Sequence, residues 1–127
     1  MTKFILIAAG GGIGSLLRFV LSGWVHRASN SSLPLGTLFV NVAGCLMIGC
    51  LSALFSGPYL LREEWRLAIL VGLLGGFTTF STFAWESASF MNDGQWARAG
   101  LNLILSNVLG VLAAWLGYRI GQSCFGV

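Results

Sequence analysis

The stretch of sequence that most constrains the fold is Gly72-Leu73-Leu74-Gly75-Gly76-Phe77-Thr78-Thr79-Phe80-Ser81-Thr82-Phe83. Three glycines and four hydroxyl residues lie here within an otherwise apolar segment. Glycine costs about 1 kcal/mol per helical position, and hydroxyl side chains offer the backbone competing hydrogen bonds. The stretch therefore predicts a break in a helix, although a continuous helix that packs closely through glycine is also compatible with this composition.

The composition around this stretch identifies the surrounding medium as lipid. The chain has 127 residues, of which 56% are hydrophobic and only 9% are charged, and its mean hydropathy is +0.83. A soluble domain carries about 25% charged residues. The apolar residues also form long blocks rather than the stripes of a water-facing helix. In a bilayer, a broken helix is tolerated only where it is buried in protein or lines a cavity.

Four apolar segments are long enough to cross a bilayer, which requires about 20 residues in a helix. They are Phe4 to Val25, Thr37 to Phe55, Trp65 to Met91 and Ala99 to Ile120. The first is long for the apolar region of a signal peptide, so we expect it to remain in the mature protein. The sequence predicts an all-α integral membrane protein, with residues 1–127 forming a single four-helix transmembrane domain whose third helix is broken near Gly75-Thr79.

The polar residues exclude several classes of function. The seven lysines and arginines are dispersed along the chain, so no basic surface for nucleic acid is predicted. Cys45, Cys50 and Cys124 are odd in number and lack CxxC spacing, which favours small apolar residues over disulfides or a zinc site. We find no nucleophile–base pair or metal cluster, so an enzyme is not predicted. His26 is expected in the loop after the first span, which leaves no buried histidine to relay protons.

The distribution of positive charge sets the orientation only weakly. An even number of spans places both termini on one side, together with four positive residues, whereas two lie on the other: Lys3, Arg62, Arg66 and Arg119 against Arg27 and Arg98. This difference is small under the positive-inside rule. Insertion in both orientations, and hence an antiparallel dimer, is therefore physically permitted.

An arginine lies within the first span. Gly10, Gly14 and Arg18 fall at i, i+4 and i+8, close to one face of the helix, and the two glycines allow another helix to approach closely. A mid-membrane arginine costs roughly 2.5 to 3.5 kcal/mol, and less if it snorkels to the interface. Arg18 is either such a snorkelling residue or a cation that faces an aqueous vestibule and attracts anions.

Other residues offer contacts to an anion, each with a structural alternative. Phe80 and Phe83 share a helical face, and a phenyl ring is electropositive at its edge, although such a pair is ordinarily core packing. The amides of Asn41 and Asn107 can donate to an anion or join helices, the latter contributing about 0.6 kcal/mol on average. Glu86, one turn after Phe83, is either a residue of a pore mouth or a partner for Arg18.

Three motifs together carry a resemblance to a known family. They are GGxTTFSTF at Gly75–Phe83 in the third span, Gly36-Thr37-Leu38-Phe39-Val40-Asn41 at the start of the second, and GxxxGxxxR at Gly10–Arg18 in the first. Each motif alone is weak, but their combination is specific. Over essentially its whole length the sequence resembles the Fluc/CrcB family of fluoride channels.

The resemblance implies an antiparallel, dual-topology homodimer in the cell inner membrane, with two fluoride pores and a central structural sodium ion, Na+. The carbonyls of Gly75 and Thr78 would hold the sodium. The fluoride pathway would be formed by Asn41, Phe80, Ser81, Thr82, Phe83 and Asn107. Arg18 would be a vestibule residue, and Glu86 a carboxylate near a pore mouth. The chain departs from the family pattern at Val111, where relatives often have a serine after the fourth-span glycine, which predicts a thinner polar track there.

The function expected from these observations is passive export of cytoplasmic fluoride, which would confer fluoride resistance. One alternative is a small proton-coupled multidrug exporter of the four-helix dual-topology type. Such exporters depend on a glutamate in the first span, where this chain has Arg18. Another is a non-transporting membrane scaffold, which leaves the run of hydroxyl and phenyl side chains in the third span unexplained.

Overall fold

The structure confirms four helical segments that are long and apolar enough to cross a membrane. The structure is a computed structural model that describes residues 1–57 and 61–126, and every regular element in these ranges is a helix. The elements are α1 (Thr2–Ser29), α2 (Leu35–Ser56), α3 (Glu63–Leu67), a π-helix (Ala68–Leu74), α4 (Gly75–Phe77), α5 (Phe80–Asn92) and α6 (Trp96–Phe125). Helices α1, α2 and α6 are each long and apolar enough to cross a bilayer, as is the composite third span from Glu63 to Asn92.

The spans extend beyond the predicted apolar segments. Helix α1 continues to Ser29, so the prediction that His26 lies in a loop was wrong: His26 is an exposed residue of the last helical turn. Backbone hydrogen bonding does not require apolar side chains, and His26 and Arg27 suit the negative end of the helix dipole. The helix ends at Asn30, which adopts a left-handed conformation with φ of 49°.

The turn predicted at Asn92-Asp93-Gly94 is confirmed. The amides of Asp93, Gly94 and Gln95 donate to carbonyl oxygens in the last turn of α5 at 3.0, 3.0 and 2.7 Å. Gly94 has φ of 71°, a conformation that residues with a side chain rarely adopt. The turn reverses the chain within three residues, so that α6 begins at Trp96 and packs against α5.

Helix α1 packs backbone to backbone against the first half of the third span. A methyl group at Gly14 would overlap the carbonyl oxygen of Leu73, and one at Gly10 would lie 2.5 Å from that of Ala68. Ala68 and Leu73 are five residues apart, the spacing that a π-helix brings into line through its i→i+5 hydrogen bonds. The predicted glycine face of α1 is therefore the face that contacts the third span, and Arg18 lies one turn beyond Gly14 on it.

The third span is broken at two residues, as predicted. Thr78 and Thr79 are extended, with φ/ψ of −91°/160° and −150°/115°, between the end of α4 and the start of α5. The close glycine packing that was the alternative to a break is also present, because a methyl group at Gly76 would overlap the Gly11 carbonyl oxygen. Glycine therefore permits close contact before the break, and the threonines form the break itself.

Helices α2 and α6 form the second tightly packed pair. Gly49 faces the Ala114 carbonyl oxygen, and Gly117 faces that of Leu46, so neither glycine has space for a methyl group. Large apolar side chains such as Phe19 and Trp115 remain exposed on the outside of the helices. Small residues between helices and large ones outside are typical of a protein surrounded by lipid.

Candidate ion pathway

A cavity of about 310 Å³ lies beside the break in the third span. Six of the site residues predicted from the sequence line it: Asn41, Gly75, Thr78, Phe80, Phe83 and Asn107. The remaining lining residues come from α2, the third span and α6: Gly44, Cys45, Ile48, Leu70, Leu74, Thr79 and Ser106. No lining residue carries a charged side chain, so an ion in this cavity would meet only neutral groups.

Asn41 of α2 holds the broken backbone. Its side-chain nitrogen donates to the Thr79 carbonyl oxygen at 2.9 Å, and its oxygen accepts from the Thr79 amide at 2.7 Å. Thr79 is buried, and an unpaired backbone group in a bilayer costs several kcal/mol. The Asn41 amide therefore replaces the helical acceptor that the Thr79 amide has lost and gives the Thr79 carbonyl a donor.

The break also removes the usual helical partners of two carbonyls. In a continuous α-helix the Gly75 and Thr78 carbonyls would accept from the amides of Thr79 and Thr82. Here the Thr79 amide donates to Asn41, and the Thr82 amide donates to the Thr79 hydroxyl at 3.2 Å. Both carbonyl groups belong to residues that line the cavity, and neutral oxygens of this kind suit a hard monovalent cation.

Arg18 contacts the break in the third span, and its place in a vestibule stays a prediction. Its guanidinium donates to the Thr78 carbonyl oxygen at 3.4 Å, and its side chain is partly buried. The residue that was predicted to attract anions thus lies beside one of the two carbonyls predicted to hold a cation. Its position follows from the glycine face of α1, which brings this helix against the third span.

Ser81 and Thr82 lie in the first turn of α5 and are exposed, outside the lining of the cavity. The Thr79 hydroxyl caps this helix: it accepts from the Thr82 amide and donates to the Thr82 hydroxyl at 3.0 Å. It also lies 3.4 Å from the Ser81 hydroxyl. A threonine that accepts a bond from the third helical amide is a typical N-cap, so this local chemistry starts α5 after the break.

The two phenyl rings of the motif have different environments. Their centroids lie 5.5 Å apart and their planes are inclined by 59°, so one ring presents its edge towards the other. Phe83 is only 6% exposed, whereas Phe80 is 78% exposed. Core packing therefore accounts for the position of Phe83 but not for that of Phe80, which lines the cavity and is mostly exposed in this subunit.

Glu86 is joined to α2 and not to Arg18. Its Oε1 accepts a hydrogen bond of 2.6 Å from the hydroxyl of Thr37. Its Oε2 is buried without a hydrogen-bond partner among the described residues. Among the described residues no ion pair joins Glu86 to Arg18, so the contact between these two side chains is not formed within this subunit. A role for Glu86 near a pore mouth stays a prediction.

Helix α6 contributes residues that the sequence analysis missed. Asn107 donates to the Leu103 carbonyl of its own helix at 2.7 Å, while the neighbouring Ser106 also lines the cavity. Asn102 is buried and donates to the hydroxyl of Ser87 at 3.0 Å. Asn102 and Ser106 are four residues apart, and this spacing of polar side chains in an apolar helix is the signal that identifies them.

Comparison with known proteins finds a single family over nearly the whole chain. Residues 5–118 match the family described as CrcB-like protein, Camphor Resistance (CrcB). A protein named Fluoride-specific ion channel FluC from Maridesulfovibrio salexigens is 43% identical over 122 residues, which cover 96% of this chain and 97% of that protein. Proteins of the same name from Nitrosococcus oceani and Thermus thermophilus are each 42% identical, and the matched regions cover 94% and 98% of this chain and 96% and 97% of those proteins.

Proposed function

This chain belongs to the CrcB family, and on that premise we propose that it is a passive fluoride channel that lets cytoplasmic fluoride leave through the inner membrane. Its relatives are named fluoride-specific ion channels, and it matches almost their full length. They are named as channels and not as enzymes. The four spans make the chain a multi-pass membrane protein.

The observation that carries the proposal is the uncharged lining of the cavity beside the break. A small anion loses its hydration on entering an apolar membrane and needs N–H, O–H or ring-edge contacts in return. A fixed positive charge would bind it too tightly for rapid release, since conduction requires that binding be favourable but weak. Amide, hydroxyl and phenyl groups around about 310 Å³ meet both requirements.

The two asparagines can contribute to the pathway while they hold backbone. An amide NH₂ group has two N–H donors. Asn41 uses one on the Thr79 carbonyl and Asn107 uses one on the Leu103 carbonyl. Each therefore retains a donor for an anion, and both side chains belong to the cavity lining. Ser81 and Thr82 would extend the pathway beyond the cavity, and Glu86 would lie near its mouth.

A second copy of the chain completes the site in this proposal. Phe80 is 78% exposed although it belongs to the motif, and a partner subunit would cover it. An antiparallel twofold axis near the break would also bring together the Gly75 and Thr78 carbonyls of two subunits. Four neutral oxygens would then coordinate one sodium ion, which would give a partner to carbonyl groups that have lost their helical amides and would join the subunits.

The multidrug exporter is less well supported. Such exporters depend on a carboxylate in the first span, but no Asp or Glu precedes Glu63 in this chain. Glu86, one turn after Phe83 in α5, accepts a hydrogen bond from Thr37. Passive conduction requires no proton-carrying side chain, whereas the proton coupling of such exporters requires a carboxylate that the first span of this chain does not have.

Reconstitution into liposomes tests the proposed function. Purified protein is placed in vesicles loaded with either fluoride or chloride, potassium permeability is supplied by valinomycin, and the released anion is followed with an ion-selective electrode. We expect rapid fluoride release, little chloride release and no dependence on a proton gradient. Equal release of both anions, or release that needs a proton gradient, would contradict a selective passive channel.

A further inference from the structure

A buried chain of hydrogen bonds links α6 to the backbone of Phe83. The side-chain nitrogen of Asn102 donates to the Ser87 hydroxyl at 3.0 Å, and that hydroxyl donates to the Phe83 carbonyl oxygen at 2.9 Å. Asn102 and Ser87 are only 4% and 3% exposed. A serine hydroxyl has one proton, so while it donates to Phe83 it can only accept from Asn102. The direction of both bonds is therefore fixed.

Helix α5 needs such a link because the break separates it from α4. The helical hydrogen bonding of α5 is not continuous with that of the preceding helix, so the rotation of α5 about its own axis depends on contacts with other helices. Two polar contacts join this region to α2, through Asn41 at the break and Thr37 further along. In the described ranges, the bond from Asn102 to Ser87 is the one side-chain hydrogen bond between α5 and α6. Polar contacts with α2 and with α6 therefore hold α5 independently of each other.

The orientation of α5 determines how the phenyl rings face the cavity. Phe83 is one helical turn before Ser87 and lies on the same face, so a rotation that separates Ser87 from Asn102 also moves Phe83. The ring centroids of Phe80 and Phe83 lie 5.5 Å apart, and the ring planes are inclined by 59°. A phenyl ring attracts an anion at its edge and repels it at its face. Small rotations of α5 would therefore change the contact that an anion meets.

We propose that Asn102 and Ser87 are positioning residues that hold Phe83 in the orientation required for selective fluoride conduction. This inference rests on the proposed function, in which Phe83 lines the pathway. Neither residue belongs to the cavity lining. They act through α5 on the ring and do not bind the ion.

The test uses full-length protein in liposomes, with three changes at one residue. Ser87→Ala removes the hydroxyl, Ser87→Cys keeps the shape but substitutes a weak S–H donor, and Ser87→Thr keeps the hydroxyl. The matched control is Ser56→Ala, which removes a bond of the same i→i−4 type, from the Ser56 hydroxyl to the Ser52 carbonyl at 2.7 Å, at the end of α2. Fluoride and chloride release are measured for each, together with the ¹⁹F NMR spectrum of 4-fluorophenylalanine introduced at residue 83.

We expect Ser87→Ala and Ser87→Cys to slow fluoride release by about tenfold, the factor equivalent to one lost buried hydrogen bond. The ¹⁹F resonance should shift or broaden in both, while Ser56→Ala should resemble the unmodified protein. Ser87→Thr keeps the hydroxyl but adds a methyl group at a buried site, so we expect it to release fluoride faster than Ser87→Ala. If Ser87→Ala does not fold, Ser87→Cys carries the test because its volume is close to that of serine.

Two results would overturn the inference. Unchanged fluoride release in Ser87→Cys would show that the bond does not position the pathway. Slow release with an unchanged ¹⁹F spectrum would show that residue 87 acts on the ion and not on the ring. Failure of the proposed function is distinguishable from both, because the unmodified protein would then release no fluoride selectively.

Discussion

Replacing Asn41 by aspartate exchanges the side-chain NH₂ group at the break for an oxygen and leaves the shape of the side chain nearly unchanged. In the structure the Asn41 oxygen accepts from the Thr79 amide at 2.7 Å, and its nitrogen donates to the Thr79 carbonyl at 2.9 Å. Asn41→Asp retains the first bond. It places an acceptor oxygen opposite a second acceptor oxygen, so the carbonyl loses its donor and is repelled by the new negative charge.

The expected magnitude follows from burial. Thr79 is 7% exposed, and a buried carbonyl left without a donor costs about 1–3 kcal/mol. The change also removes the N–H that we propose faces the anion, and a carboxylate there would repel fluoride. We therefore expect fluoride release to slow by at least about tenfold, the effect of 1.4 kcal/mol, while the free energy of unfolding falls by about 1–3 kcal/mol.

The assay is fluoride release from liposomes, with circular dichroism to follow unfolding. The control is Asn92→Asp, the same change at an exposed residue at the end of α5. A protonated carboxyl group has an O–H donor, so lowering the pH should partly restore release in Asn41→Asp after subtraction of leakage from protein-free vesicles. Release equal to that of the unmodified protein at neutral pH would refute the role of Asn41 in both the break and the pathway.

Three further predictions, made with four substitutions, test other parts of the proposal. Phe80→Ile and Phe83→Ile should each slow fluoride release strongly in the liposome assay, because isoleucine has no ring edge. The melting temperature should change only modestly in each, and normal release in a destabilised Phe83→Ile would favour simple core packing. A methyl group at Gly75 has free space within the subunit, as has one at the control position Gly12, so the subunit should fold in both Gly75→Ala and Gly12→Ala. Light scattering after size-exclusion chromatography should show loss of the dimer only in Gly75→Ala. An intact dimer in Gly75→Ala would exclude Gly75 from the interface. Thr37→Val removes the hydroxyl that donates at 2.6 Å to a partly buried carboxylate, and we expect release to slow by about tenfold at neutral pH, whereas an unchanged rate would remove this contact from the pathway mouth.

The sequence predicted the break because its causes are local. Glycine and threonine weaken a helix wherever they occur, and the Thr79 hydroxyl caps α5 through residues only three positions away. The glycine face of α1 was also predictable, since helical spacing alone places Gly10 and Gly14 together. These features depend on one helix at a time.

The missed residues depend on contacts between helices. The role of Asn102 depends on the packing of α6 against α5, which brings it beside Ser87, fifteen residues earlier in the chain. Arg18 was assigned to a vestibule, and the structure additionally places it against Thr78 because the π-helix sets the register between α1 and the third span. Neither register can be read from the spacing of residues within a single helix.

The break imposes a double requirement on the side chains around it. Backbone groups freed at Thr78 and Thr79 must find partners inside the protein, because lipid offers none. The same side chains must also leave donors available if an anion is to pass. An asparagine meets both requirements because its amide has two N–H donors and an acceptor oxygen, whereas a serine or threonine hydroxyl has a single proton and offers no donor to an anion once that proton is used. This difference explains why Asn41 can both close the break and face the cavity, while the Thr79 hydroxyl is fully used in starting α5.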